Sequence, residues 1–158
     1  MTTPPRLEIV RTAVLRDYPL RLWAEQQEHT DSLLREFQLL LVGEESGAED
    51  HAPRRFVELA DMFTTRYGSL IDEINAERQD AVDRGEDRCD SRVPLPKGTP
   101  ELLDQLRTVM AAVDDYCRSG DLLVLPRPPR LLALADWTDR ELRAQYEGAE
   151  PTPWPGPF

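Results

Sequence analysis

Histidine and carboxylate side chains at helical spacing are the first candidates for chemistry in this chain. His29 lies four residues after Glu25 and next to Glu28, in a segment whose apolar spacing predicts a helix. Helical bundles that hold two metal ions use Glu-x-x-His pairs on two helices, with further glutamates. The residue three before His29 is Gln26, and no second predicted helix carries a histidine. We therefore predict no metal site and interpret His29 as a surface or rim residue.

A second polar cluster consists of Asp72, Glu73 and Glu77, with Arg66 and Arg78 nearby. Such a cluster is either a divalent-ion or docking face, or a solvated face on which salt bridges form. Glutamates one turn apart repel each other modestly and no histidine is in register, so general acid–base catalysis has no support. We favour the solvated face, and we keep Arg66, Asp72 and Glu73 as candidate contacts with a partner protein.

Nucleophilic chemistry has equally little support. The sequence contains no Gly-rich phosphate loop, no G-x-S-x-G elbow and no H-E-x-x-H motif. Neither cysteine has a neighbouring histidine to activate it. Cys117 follows the spacing of core residues, whereas Cys89 lies in a predicted loop and is the better candidate for a reactive thiol. We predict a protein that is not an enzyme and uses no cofactor.

Composition points to one domain with an acidic surface. The 158 residues, of which 40% are hydrophobic and 31% charged, suffice for one core. The formal charge of −11 repels nucleic-acid backbones and anionic membrane surfaces. No apolar run approaches the roughly 20 residues of a membrane span. We expect a cytoplasmic protein with reduced thiols that binds neither nucleic acid nor membranes.

Four segments have the periodicity of amphipathic helices. The second is the clearest, because apolar residues recur three and four apart from Phe56 to Ile74 and form one stripe. Thr99 and Pro100 give the third helix a clear start, as N-cap and first helical residue. The predicted helices span residues 19–42, 53–84, 99–119 and 129–147.

The segments between and before these helices are predicted to be irregular. Residues 1–18 contain apolar side chains but no convincing second strand to pair with, so we expect an ordered arm or a short helix. Residues 86–98 contain Pro94, Pro96 and Gly98 and are predicted to lack regular structure. Residues 122–125 read as an apolar connector or an extended lid over the bundle end.

The predicted fold is therefore all-α, an antiparallel four-helix bundle with two long N-terminal helices. The bundle domain spans residues 19–148, preceded by the N-terminal arm, residues 1–18, and followed by a Pro-rich tail, residues 149–158. The alternative is an extended helical hairpin that buries its apolar stripe in a homodimer.

Two polar residues interrupt the apolar seam of the first helix. Trp23, Gln27 and Thr30 are spaced four and three apart, as in a heptad. Buried polar groups need hydrogen-bond partners. Gln27 and Thr30 therefore either set the register of the bundle, which we favour, or line a ligand pocket together with Trp23 and Tyr67.

The Pro-rich tail carries two aromatic residues, Trp154 and Phe158. Pro-rich segments with aromatic residues dock in grooves of partner proteins at low entropic cost. Alternatively, Trp154 folds back and caps the end of the bundle. Trp154 and Phe158 are thus candidate partner contacts with a structural alternative.

Several segments, taken together, resemble a family of small helical proteins from actinobacteria. They span nearly the whole chain: residues 16–22 (RDYPLRL), 27–29 (QEH), 33–37 (LLREF), 72–73 (DE), 115–117 (DYC), 120–123 (GDLL) and 151–155 (PTPWP). The resemblance implies a regulatory setting, because the genes of that family are associated with partner-switching regulators: anti-sigma kinase-like ATPases, STAS-domain antagonists and their phosphatases. It implies no catalytic or binding residues.

The leading hypothesis is a non-enzymatic regulator or adaptor that binds another regulatory protein, in the control of sigma factors by partner switching. It follows from the amphipathic helices, the acidic surface, the aromatic tail and the missing catalytic motifs. The alternative is a small-molecule or metal sensor with its site in the bundle core.

Overall fold

The structure, a computed structural model, describes residues 6–43, 51–119 and 123–157. The four helices lie within about two residues of their predicted positions, as expected for strongly periodic segments. None of the helices that the structure describes combines the length and the hydrophobicity of a membrane span. In chain order, the elements are β1 (Ile9–Pro19), α1 (Leu20–Gly43), α2 (His51–Asp83), β2 (Arg88–Pro96), α3 (Thr99–Arg118) and α4 (Pro129–Tyr146).

The prediction of an all-α bundle is wrong, because β1 and β2 form an antiparallel two-stranded sheet. β1 lies in the segment predicted to be an arm or a short helix, and β2 lies in the one predicted to lack regular structure. Each strand buries one side: Ala13 and Leu15 in β1, Ser91 and Leu95 in β2. β2 is therefore the partner strand that the sequence does not reveal for β1.

The prolines of β2 do not disrupt this pairing. Successive N–H groups of a strand point alternately toward and away from its partner, and the prolines lie where the N–H would point away from β1. The N–H of Lys97 donates to the carbonyl of Glu8, toward β1. The N–H of Arg92 instead points away from β1, to the carboxylate of Glu77 on α2 at 3.4 Å. Pro94 and Pro96 share the alternation of Arg92. They therefore occupy positions that donate nothing to the ladder.

The two long helices form a hairpin inserted between the two strands. At its base, Pro19 pairs with Arg88, and the N–H of Leu20 donates to the carbonyl of Asp87 at 3.0 Å. Leu20 at the start of α1 and Ala81 near the end of α2 share one buried cluster, so the helices run antiparallel. α2 has 33 residues, which corresponds to a length of about 50 Å.

Two apolar clusters divide the interior. Core 1 joins the sheet to the base of the hairpin, α4 and the tail, and so unites residues from the segments predicted to be arm, bundle and tail. Core 2 joins the far half of the hairpin to the C-terminal half of α3. Core 1 contains Ala13, Leu15, Tyr18, Leu20, Leu22, Trp23, Ala81, Leu95, Leu131, Leu134, Trp137, Leu142 and Trp154. Core 2 contains Leu33, Phe37, Phe56, Leu59, Val109, Val113 and Cys117.

The outer edge of β1 is covered by a side chain that acts like a neighbouring strand. The amide of Gln145 on α4 accepts from the N–H of Val14 at 2.8 Å and donates to the carbonyl of Val14 at 2.9 Å. The same amide nitrogen lies 3.1 Å from a carboxylate oxygen of Glu141, which also accepts from the N–H of Thr152 in the tail. Gln145 is 6% exposed. One glutamine thus ties strand, helix and tail together.

Replacing Gln145→Ala should lower the free energy of unfolding by about 1–3 kcal/mol, because it leaves two backbone groups of Val14 unpaired at a buried edge. The control is Arg140→Ala, an exposed position on the same helix. Urea denaturation of the three proteins measures the effect. Equal midpoints for Gln145→Ala and Arg140→Ala would show that the strand edge does not need this amide.

Candidate functional site

A short extended segment at the far end of the bundle is held by its backbone. We call residues 123–127 the strap. The N–H groups of Leu123 and Val124 donate to the two carboxylate oxygens of Glu36 on α1, at 2.9 and 3.2 Å. Nε2 of His29 donates to the carbonyl of Leu125 at 2.9 Å. Because a carbonyl only accepts, His29 carries a proton on Nε2. The two α1 residues therefore anchor three consecutive strap residues.

A buried ion pair fixes the end of the strap. Nη2 and Nε of Arg127 lie 2.7 and 3.0 Å from one carboxylate oxygen of Asp114 on α3. The backbone N–H of Arg127 donates to the other oxygen of Asp114 at 3.2 Å. Asp114 is 4% exposed. Breaking a buried pair leaves an uncompensated charge, so this contact strongly specifies where the strap lies.

The side chains of the strap alternate between the interior and the solvent. Val124 is half-buried against core 2. Leu123 and Leu125 are 95% and 73% exposed. Leu39 and Val42, on the turns of α1 that follow Glu36, are also exposed. A defined backbone thus presents large apolar side chains to water, although burying one leucine is worth about 1.5–3 kcal/mol.

Sequence reasoning noticed the apolar connector but missed this site. The anchors are Glu36, His29 and Asp114, three polar residues that lie far from the strap in sequence. The sequence predicts His29 to be a surface or rim residue and gives no sign of its contact with the strap. Nothing in the local pattern identifies these residues as partners of a backbone, because each contact joins the strap to a helix residue that is far away in sequence.

The candidate partner contacts on α2 lie away from the strap. Asp72 and Glu73 are exposed. The guanidinium of Arg66 lies 5.4 Å from the centre of the Tyr67 ring. Among the residues that the structure describes, no group of three or more His, Cys, Asp or Glu side chains could hold a metal ion.

The four residues predicted to line a core pocket are not gathered around one cavity. Trp23 is buried in core 1, where its Nε1–H has no hydrogen-bond partner among the described residues. Gln27 and Thr30 are half-buried on α1. Tyr67 lines an open groove between α2 and the start of α3, which Trp23, Gln27 and Thr30 do not reach.

The tail folds back onto the sheet. The N–H of Trp154 donates to the carbonyl of Arg16 on β1 at 3.0 Å, and its indole N–H donates to the carbonyl of Pro157 at 3.0 Å. Its ring packs edge-to-face against Trp137, with centroids 5.3 Å apart, and Trp154 is 7% exposed. In this docked position, the Trp154 ring faces core 1 rather than a partner. Phe158 lies outside the described residues.

Trp154→Ala should cost about 3–5 kcal/mol of unfolding free energy, because it removes a large ring from core 1 and leaves a cavity. Pro155→Ala, at the exposed next position, is the matched control. Guanidinium denaturation followed by far-UV circular dichroism compares them. A loss below about 1 kcal/mol for Trp154→Ala would mean that the tail is not docked in solution.

Neither thiol is placed for nucleophilic chemistry. Burial raises the pKa of the Cys117 thiol from 9.0 to about 11, and the carboxylates of Asp114 and Glu36 add to the rise. Burial also raises the pKa of the Cys89 thiol, although the guanidinium of Arg78 opposes the rise. A raised pKa leaves less of the reactive thiolate at neutral pH.

The Cys117 pKa predicts a loss of stability in alkali. Between pH 9 and 11, the thiol ionises in the unfolded chain but keeps its proton in the folded one. The folded state then binds more protons, so the free energy of unfolding falls as the pH rises, by at most roughly 2–3 kcal/mol over this range. The stability that the protonated Cys117 thiol contributes is fully present below pH 9.

Urea denaturation at pH 8 and at pH 11 measures this loss. Cys117→Ala removes the titrating group while every other group stays, so the variant should lose less stability between the two pH values than the unchanged protein. Equal losses in the two proteins would show that the Cys117 thiol has an ordinary pKa.

Comparisons with known proteins found no relative. No protein-family model matches the chain, and no curated protein and no solved structure is significantly similar to it. The strap and its exposed leucines are therefore the feature of the described residues that bears most directly on function.

Proposed function

We propose that this chain is a non-enzymatic regulator or adaptor that binds another protein through the exposed leucines of the strap. The observation that carries the proposal is the contrast between a firmly anchored backbone and the solvent-facing side chains of Leu123 and Leu125. Apolar side chains that are presented on an ordered surface are typical of interaction sites. Because the backbone of the strap is already ordered, little conformational entropy would be lost when a partner binds it.

Charge indicates the chemistry of the partner. The chain carries a net charge of −11. In sequence, residues 44–50 contain four acids and residues 120–122, which precede the strap, contain one; neither segment contains a basic residue. The complementary partner is a protein with an apolar groove and a basic rim, since opposite potentials speed encounter and exclude wrong partners.

The resemblance to the actinobacterial family suggests where such a partner belongs. Partner-switching systems regulate sigma factors through exchanges between proteins, and a non-enzymatic adaptor fits that setting. The partner would then be a component of such a system, and its recognition would depend on the strap rather than on a catalytic residue of this chain.

The test is a double substitution, Leu123→Asp/Leu125→Asp. Each leucine lost from an interface should cost about 1.5–3 kcal/mol, so affinity for a direct partner should fall by at least about tenfold. Stability should hardly change, because both side chains are exposed in the free protein. Ala133→Asp/Ala144→Asp, at two exposed positions of α4, adds the same charge elsewhere and is the control.

Affinity capture with quantitative mass spectrometry should recover a protein with the unchanged chain and with the α4 control but not with the strap variant. The recovered protein is then purified, and its dissociation constant for each chain is measured by calorimetry. A partner that binds all three chains equally, or a purified candidate that binds none, contradicts the proposal. Sedimentation of the free chain separates this outcome from self-association through the same leucines.

A further inference from the structure

Three prolines follow the exposed Leu125 where the strap leads into α4. We call residues 125–129, Leu-Pro-Arg-Pro-Pro, the proline segment. The start of α4 explains Pro129, because proline is favoured at the first helical position. Pro126 lies three residues before the first helical residue and has no such role. The proline segment therefore needs an explanation beyond the start of the helix.

The backbone of the proline segment has the polyproline II conformation. Proline fixes its own φ at about −65°, and a residue that precedes proline is held in the extended region. Leu125, Arg127 and Pro128 each precede a proline. The angles of Pro128, φ −70° and ψ 163°, lie close to polyproline II. The contacts of His29 with the carbonyl of Leu125 and of Asp114 with the N–H of Arg127 then fix this conformation on the surface.

Only one of the three sides of this helix faces the protein. Polyproline II has three residues per turn, so residues three apart lie on the same side. Val124 and Arg127 form the inward side, because Val124 packs against core 2 and Arg127 pairs with Asp114. The other two sides carry four apolar residues, of which two are exposed and two are half-buried. These residues are Leu125, Pro126, Pro128 and Pro129.

The backbone of the proline segment also retains hydrogen-bond acceptors. Polyproline II forms no internal hydrogen bonds. The carbonyls of Pro126 and Arg127 accept no hydrogen bond from any residue that the structure describes. An indole N–H or a phenolic O–H is a donor attached to a large apolar ring. Tryptophan and tyrosine side chains of a partner therefore suit both the proline rings and these carbonyls.

We propose that the proline segment is recognised by a partner domain whose groove is lined with aromatic side chains. SH3 and WW domains have such grooves and bind segments with two prolines three apart, because the polyproline II helix is already formed. Pro126 and Pro129 have this spacing. Each follows another apolar residue, so two apolar pairs flank the inward-facing Arg127. The proposal rests on the proposed function, since Leu125 belongs to the strap, and it names the chemistry of the partner's groove.

The probes are a panel of purified, isotope-labelled SH3 and WW domains, each titrated with the full chain. At least one domain should show saturable shifts of its groove residues, with a dissociation constant of about 1 mM or tighter. Pro126→Ala/Pro128→Ala should weaken this binding by at least about tenfold, because each alanine lacks the ring and the fixed φ of proline.

The matched control is Pro153→Ala/Pro155→Ala, which removes two exposed prolines of the tail and should bind like the unchanged chain. The urea midpoint should change little in both variants, because neither removes a buried side chain. Amide shifts of Leu123 show whether Glu36 still holds the strap in each variant. A loss of affinity with unchanged shifts at Leu123 is then due to the prolines.

Two results would overturn the proposal: no domain of the panel binds saturably at about 1 mM, or Pro126→Ala/Pro128→Ala binds as tightly as the unchanged chain. The protein recovered by affinity capture separates this proposal from the proposed function. If that protein loses only Leu123→Asp/Leu125→Asp and still binds Pro126→Ala/Pro128→Ala, the proline proposal is wrong and the strap remains the interface. If domains of the panel bind through the prolines but no captured protein depends on the leucines, the proposed function is wrong and the proline segment remains a recognition motif.

Discussion

The architecture depends on the pairing of two strands that the whole helical hairpin separates in sequence. A two-stranded sheet is marginally stable by itself and needs a packed face and protected edges. Here the buried face carries Ala13, Leu15 and Leu95 into core 1. The edge of β1 is closed by the Gln145 amide and by the N–H of Trp154. Because α1 leaves from one strand and α2 returns to the other, this pairing also fixes where the hairpin begins and ends.

The opposite end of the molecule uses polar contacts for a different purpose. Glu36, His29 and Asp114 hold the strap by its backbone and by Arg127. Because these contacts satisfy the backbone of the strap, its side chains can alternate between the interior and the solvent. Two leucines therefore face the solvent. At the sheet end, the polar contacts thus close the edge of the core. At the strap end, they hold a backbone that exposes apolar side chains.

The strap and the open groove lined by Tyr67 differ in how far the sequence predicts them. The sequence indicates Tyr67 and Arg66 as members of two different sites, a core pocket and a partner face. The groove unites them with Lys97 and Glu101 because α2 and the start of α3 lie side by side. The exposed strap could not be predicted, since apolar spacing does not distinguish a side chain that packs from one that is held in water. The burial of Trp154 was one of two open interpretations.

The sequence alone determined the four helices, their approximate ends and the acidic balance, since apolar periodicity and the glycines and prolines at helix ends are local properties. Only the tertiary structure decided the rest. The strands β1 and β2 each depend on a partner far along the chain. Pro94 and Pro96 disfavour a strand when only neighbouring residues are considered, but both lie at positions whose N–H would not be used in the ladder. The docking of the tail, the anchoring of the strap and the shape of the groove likewise arise from contacts between distant segments, which no window of neighbouring residues contains.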